Sequence, residues 1–262
     1  MYDEFQRAVW RHYQENAREM QWRDEPTFYN VLVSEIMLQQ TQVERVQVKF
    51  AEFMHAFPNE DKLAEAKLSD VLKVWQGLGY NRRAKYLHMA AKYITENGTP
   101  NTFNQMVKLP GIGKNTAGAL MNYVYNSPTP FVETNIRTVY FYHFFAGRSD
   151  VSDGEVLKMV ERTMNKYRPR EWFWALMDYG SWLKSQGYSR LDISRHYKKQ
   201  SKLEGSVRQV RGQIVRALAG RTMTKPELMH AVGADHRFDR ALEGLLSDGL
   251  VTVSGNQVRL TE

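Results

Sequence analysis

The chain has 262 residues and no cysteine. Disulfides, zinc–thiolate sites and cysteine-ligated iron–sulfur clusters are therefore excluded. No uninterrupted apolar run reaches membrane-spanning length, and the N-terminus "MYDEFQRAVW" is charged and amphipathic, without an apolar signal core. A cytoplasmic protein is the expectation. Strand-like alternation is missing up to about residue 200, where apolar positions recur with helical spacing instead. Acidic residues are outnumbered, 29 against 36 Lys+Arg, for a net charge of +7. A basic chain of this size suits a polyanionic partner, although a merely soluble basic surface would give the same balance. Apolar residues at 42% and charged residues at 25% are otherwise those of an ordinary globular protein. The length fits one large domain, or one domain with a small appendage.

The periodicity predicts helices over 2–15, 27–38, 43–57, 62–66, 68–76, 82–97, 103–107, 114–124, 135–145, 154–164 and 169–184. "FPNEDK", "NGTPNT", "NSPTP" and "GRSDVSD" mark the turns between them. The six tryptophans fall in this helical part and read as core and interface packing. Composition then shifts: residues 184–216 hold nine Lys/Arg against Asp192 and Glu204 alone. Such a run is either a solvated face or, with Tyr188, His196, Tyr197 and Gln200 interleaved, a strand laid along a phosphate backbone. After it, "SVRQVRGQIVRALAG", "TKPELMHAVG" (capped by Thr224) and residues 235–247 predict three helices. "LVTVSGNQVRL" predicts a hairpin turning at Ser254-Gly255-Asn256. Three helices and a β-hairpin make a small winged-helix-like domain.

Three places could carry chemistry. The run "LPGIGKNTAGA" (109–119) sets Gly111 and Gly113 at a helix entrance. It is either an ordinary turn or a phosphate site, because unpaired N–H groups and the helix dipole point the same way there. Spacing alone permits both. Glu35 is a charged residue in the otherwise apolar "VLVSEIMLQQTQ", so it is paired, snorkelling, or lining a cleft. Glu133 follows "NSPTPFV" just before a helix, where a carboxylate is favoured electrostatically even as a bare cap.

Taken together, "SEIMLQQTQVERV", "VWQGLGYNRRAKYLHMAA", "LPGIGKNTAGAL" and "FVETNIRTVY" resemble helix–hairpin–helix (HhH-GPD) DNA glycosylases of the MutY-type adenine glycosylase branch. The likeness runs from Trp22-Arg23 to Met177-Asp178-Tyr179-Gly180, and the segment from "KLEGSVRQVRGQIVRAL" onward is similar to the tail of some actinobacterial MutY-type proteins. "MLQQTQV" and "GLGY" are specific to the branch, whereas the hairpin alone points only to the wider superfamily.

The resemblance implies a mainly α, two-module fold with a cleft between the modules, over residues 1–200. The central module is expected at about 23–125, the second at 1–22 with 126–200, and the winged-helix-like domain at 201–262. The partner it implies is double-stranded DNA holding a mispaired or damaged base, bound by a monomer with no membrane attachment. The activity it implies is removal of that base after eversion, adenine opposite 8-oxoguanine or guanine first. Thymine or uracil opposite guanine, or silent binding to mismatched DNA, are the alternatives.

By position, Glu35 matches the family's general acid, whose apolar helix face would raise its pKa. Glu133 matches the catalytic carboxylate, and Asn135 the asparagine that supports it. Two carboxylates of different protonation state suit cleavage of a glycosidic bond. Gln39, Gln40, Tyr80 and Asn81 match the duplex-probing segments, with an ordinary packing aromatic as the lesser alternative for Tyr80. Leu109, Gly111, Gly113, Lys114, Asn115 and Thr116 match the DNA-gripping hairpin, and Arg82, Lys198 and Lys199 are candidate backbone contacts. No cofactor and no metal are expected.

The chain also departs from the family. Glutamate replaces aspartate at 133, and a shift of about an ångström in a reacting group can cost on the order of a hundredfold in rate. Asn115 stands where bifunctional relatives carry a lysine nucleophile, so strand-cleaving lyase chemistry is not expected. Lys114 lies about 100° away around a helix. The iron–sulfur loop is replaced by the basic stretch 184–202. The residues after 200 are too few for the Nudix-like domain that reads 8-oxoguanine in many relatives, which leaves the opposite base open.

Overall fold

The computed structural model describes residues 2–198 and 200–262. In chain order come α1 (Tyr2–Asn16), α2 (Gln21–Asp24), α3 (Phe28–Leu38), α4 (Val43–Ala56), α5 (Glu60–Glu65), α6 (Leu68–Val74), α7 (Arg82–Asn97), α8 (Phe103–Met106) and α9 (Lys114–Tyr123). They continue with α10 (Thr134–Phe144), α11 (Asp153–Thr163), α12 (Pro169–Ser185), a 3-10 turn at Leu191–Ile193, and α13 (Val207–Leu218). β1 (Met223–Thr224), α14 (Lys225–Ala231), α15 (Phe238–Ser247), β2 (Val251–Ser254) and β3 (Gln257–Leu260) close the chain. The protein is mainly α, as the periodicity predicts. No described helix is long and apolar enough to cross a membrane.

The helix starts follow sequence signals. Thr102 with Gln105, Ser152 with Glu155, and Thr224 with Glu227 form reciprocal capping boxes at α8, α11 and α14. The third C-terminal helix starts at Phe238 rather than 235. The Asp235 carboxylate accepts from both the backbone N–H and the guanidinium of Arg237, which holds 235–237 as a turn. The strand β1 went unanticipated because two residues carry no alternation; it pairs with β3, giving an antiparallel sheet of order β1-β3-β2. The hairpin is in register Val251↔Leu260 to Ser254↔Gln257.

Residues Met1–Val31, Pro100–Lys108 and Ile112–Lys199 cluster as a first unit. Leu32–Thr99, Leu109–Gly111 and Gln200–Glu262 form a second. In the first, α12 packs on α1 and α10 around Phe5, Val9, Tyr140, Trp172 and Phe173, all 3% exposed or less. Gly180 permits the tight α10–α12 contact. A Cβ there would lie 2.7 Å from the Asn135 carbonyl carbon and 2.8 Å from the Asn135 Cβ. Asp178, 2% exposed, is balanced by Arg18 (2.7 Å) and by both terminal nitrogens of Arg23 (2.8 Å each). Part of the basic stretch is stitched down rather than free. Ser194 bridges Val151 in parallel, and Arg195 forms a bidentate pair with Asp150.

In the second unit, α7 buries Leu87, Ala90, Ala91 and Ile94 against α5 and α6. The C-terminal residues, expected as a separate domain, share this unit. Their own core comprises Val210, Ile214 and Leu218 of α13, Leu228 of α14, Leu245 of α15, and Val258 and Leu260 of β3. They are fastened to α7 at Asp248, just past α15. The Asp248 carboxylate pairs with Arg211 and with Arg82 (3.4 Å), and its carbonyl accepts from Lys85 Nζ at 2.7 Å.

Candidate active site and nucleic-acid interface

In the first unit, the approach to Glu133 is pinned at two points by asparagines of α9. Asn122 is fully buried; its amide donates to Thr129 O (2.6 Å) and Gly118 O (2.7 Å), and its carbonyl oxygen accepts from Thr129 N (3.3 Å). Asn115 donates to Val132 O at 2.6 Å and receives Val132 N at 3.5 Å. Proline at 128 and 130 keeps the backbone between these pins extended. Glu133 therefore arrives at the start of α10 in a fixed pose.

There its Oε1 accepts from Asn135 N at 2.6 Å and Ile136 N at 3.0 Å. Burial pushes this carboxyl above the usual carboxylate range, against the opposing pull of the two N–H groups, Lys184 and Arg137. Asn135 is itself held, its Oδ1 accepting from Lys184 Nζ at 2.9 Å. Arg137 is held by Asp153 through two bonds of 2.8 and 2.9 Å. The result is a half-buried carboxylate, aimed by main-chain dipoles and set on a helix N-terminus. Such a group stabilises a positive charge that develops next to it.

In the second unit, Glu35 is half-buried on α3, flanked in the chain by Leu32, Val33, Ile36 and Met37, none more than 1% exposed. The helix ends at Leu38, and Gln39–Gln40 follow with Gln40 at φ +56°. The segment Gly77–Tyr80, part of the "GLGYN" run whose resemblance implies duplex probing, carries positive φ at Gly77, Gly79 and Tyr80. One side chain holds both segments. The buried Arg83 donates from Nη1 to Ile36 O, Met37 O and Gln39 O at 2.6–2.9 Å. From Nη2 it donates to Thr41 Oγ1, Leu78 O and Gly79 O at 3.0–3.1 Å. Burial lowers its pKa to about 10, and its guanidinium lies 5.5 Å from the ring centroids of both Trp75 and Tyr80. Arg83 was not among the expected site residues. The signal was present, however, because 83, 87, 90/91 and 94 fall on the apolar stripe of α7.

The other expected residues lie as follows. Gln39 and Asn81 are half-buried, and Gln40 is exposed. The Tyr80 hydroxyl is held by Gln200 and Arg208. Arg82 is exposed and shares Asp248. Leu109 is buried. Gly111 needs to be glycine on two counts, φ +78° and a Tyr86 Cβ that would lie 2.8 Å from an added Cβ. Gly113, the residue before α9, has φ −93° and open space where a Cβ would stand, so neither its backbone nor its packing requires glycine. Lys114 is exposed and Thr116 half-buried, while Asn115 spends its amide on Val132. Lys198 is exposed, and Lys199 lies outside the described residues. The stretch after α12, where the family's iron–sulfur loop would stand, offers no thiolate ligand, so the residues present do not fit a cluster.

A family model described as "HhH-GPD superfamily base excision DNA repair protein" matches residues 33–167. An adenine DNA glycosylase of Mycobacterium tuberculosis (strain H37Rv) is 32% identical, over 92% of this chain and 88% of that protein. One from Buchnera aphidicola subsp. Baizongia pistaciae is 35% identical over 61% of this chain. The chain spans about half the length, 47%, of that Buchnera relative. Among solved structures, a thermostable thymine-DNA glycosylase superposes with TM-score 0.62 at 20% identity, covering 69% of this chain and 86% of that one. An endonuclease III–DNA covalent intermediate gives 0.57 at 17% identity, covering 70% and 85%. At those identities the likeness is one of fold. The chain belongs to the HhH-GPD superfamily of base excision DNA repair proteins.

Proposed function

We propose that the protein is a monofunctional DNA N-glycosylase that everts a mispaired base from duplex DNA and hydrolyses its N-glycosidic bond, with adenine opposite 8-oxoguanine or guanine as the substrate. The observation that carries this reading is the half-buried carboxylate of Glu133, aimed by Asn135 N and Ile136 N beside a tethered Asn135. The adenine glycosylase name of the mycobacterial relative, which aligns with most of both chains, supports the choice of base.

In this reading Glu35 donates a proton to a ring nitrogen of the departing purine. The N-glycosidic electron pair leaves with the base, and the sugar becomes oxocarbenium-like. Glu133 stabilises that cation until water adds at the anomeric carbon, with the water proton passing to a carboxylate. Asn115 has no amine to form a Schiff base, so the reaction ends at an abasic site. Gln39, Gln40, Tyr80 and Asn81 occupy the stack that the everted nucleotide leaves.

The test is an end-labelled duplex panel (A:8-oxoG, A:G, G:T, G:U) treated with purified protein and then alkali. Alkali-dependent cleavage at A:8-oxoG or A:G is the expected result. Glu35→Gln and Glu133→Gln should each lower it by at least about a hundredfold. Cleavage confined to G:T or G:U would overturn the choice of base, and no cleavage in any duplex would overturn the activity itself.

A further inference from the structure

Within the second unit, a groove of about 1020 Å³ opens between the probing segments and α13. One wall carries Arg45 from α4 and the other carries Arg208 and Arg216 from α13, with Gly111 and Gln39–Gln40 on the same lining. Six of its lining residues are arginines and one is acidic, Asp248. That single carboxylate is already matched by Arg82 and Arg211. Arg83 is committed to main-chain carbonyls, and Arg208 is partly occupied by the Tyr80 hydroxyl and Ser201 O. Arg45 and Arg216 are exposed, and among the described residues neither side chain has a hydrogen-bond or ion-pair partner. The groove thus presents uncompensated guanidinium charge from both sides.

The helix usually expected to read DNA in a winged-helix module offers no such face. On α15 and its approach, Arg237 is locked by Asp235, and Asp239 pairs with Lys225. Charge complementarity therefore favours α13.

We propose that this groove is a phosphate-binding site for the DNA backbone, built jointly by α4 and the C-terminal helix α13, and that the C-terminal module touches DNA through α13 rather than α15. The inference deepens the glycosylase reading and rests on it for the identity of the ligand as DNA. It requires neither a mispair nor catalysis.

The test uses the full chain and a fluorescent, fully paired duplex, titrated by anisotropy between about 50 and about 200 mM salt. Arg45→Gln and Arg216→Gln should each weaken binding several-fold and flatten the log–log salt slope by about 0.9. The double variant should lose roughly tenfold or more, with a slope change near the sum of the two. Arg240→Gln, an exposed arginine on α15, is the control and should leave both quantities unchanged. All variants are compared at equal melting temperature, so that loss of fold is not counted as loss of contact. An unchanged slope and affinity in the double variant would overturn the site. So would an equal effect from Arg240→Gln, which would mean general charge rather than a groove. Because the duplex is fully paired, slope shifts in a protein that cuts no mispair would sustain the groove and overturn the proposed activity. Excision with unaltered slopes would do the reverse.

Discussion

At the scale of single residues, Glu133 is in tension between burial, which favours its neutral form, and the dipoles and cations that favour its ionised form. Because burial prevails, its folded pKa lies above the unfolded value. The ionised group then costs stability once pH rises through the folded pKa, and that cost is absent below the ordinary glutamate value of about 4.3. Glu133→Gln keeps an oxygen to accept from Asn135 N and Ile136 N but carries no charge. Thermal melts should show its Tm at pH 7 equal to or above that of the parent, with any excess vanishing toward pH 4. On the proposed mechanism, in which Glu133 works ionised, the acid limb of excision should fall above the ordinary carboxylate range. A Tm well below the parent at pH 7 would contradict this account. Arg83 has the opposite character, a buried cation with no carboxylate partner whose hydrogens fill five carbonyls and one hydroxyl. Arg83→Met should lower stability by about 3 kcal/mol in denaturant titration, because those acceptors are left buried and unpaired.

At the scale of elements, the contact of α10 with α12 depends on the absence of one methyl group. Gly180→Ala would place a Cβ against the Asn135 backbone, which the helix cannot yield without moving the residue that supports Glu133. A loss of about 2 kcal/mol is expected, together with a fall in kcat larger than any change in KM. Much at this scale was legible beforehand. Helix periodicity, the cap at Thr224, and the cap position of Glu133 after a proline-marked turn can all be read from neighbouring residues. What could not be read is held by partners distant in the chain. Asn115 and Val132 are 17 residues apart, Lys184 and Asn135 are 49, and Tyr80 and Arg208 are 128. No local pattern records such pairings. Arg83 was the exception, since its place in the apolar stripe of α7 was there to be counted.

At the scale of the whole molecule, each unit is assembled from three separated segments, so no single cut in the chain isolates either one. The C-terminal module is joined to the rest of the second unit by Arg82 and Lys85 at Asp248 and by the Tyr80–Arg208 contact, and it is thereby continuous with the Gly77–Tyr80 segment. A double-mutant cycle on Arg82 and Asp248 should return a coupling below about 1 kcal/mol, the Arg82 side chain being largely open to water. Hydrogen exchange in Asp248→Ala should quicken at the start of α7 as well as in α13. Faster exchange confined to the C-terminal residues would show the two to be independent.

By the family resemblance Asn115 stands where bifunctional relatives carry a lysine nucleophile, yet its amide is the clasp on Val132, one residue ahead of Glu133. An ammonium cannot imitate that clasp, because it offers no acceptor to Val132 N. Asn115→Lys would therefore install the means for a covalent imine while slackening the segment that delivers the neighbouring acid. On the proposed reading, an amine nucleophile and the clasp on Val132 would compete for one anchoring point, and exchanging this single residue would not convert the one chemistry into the other.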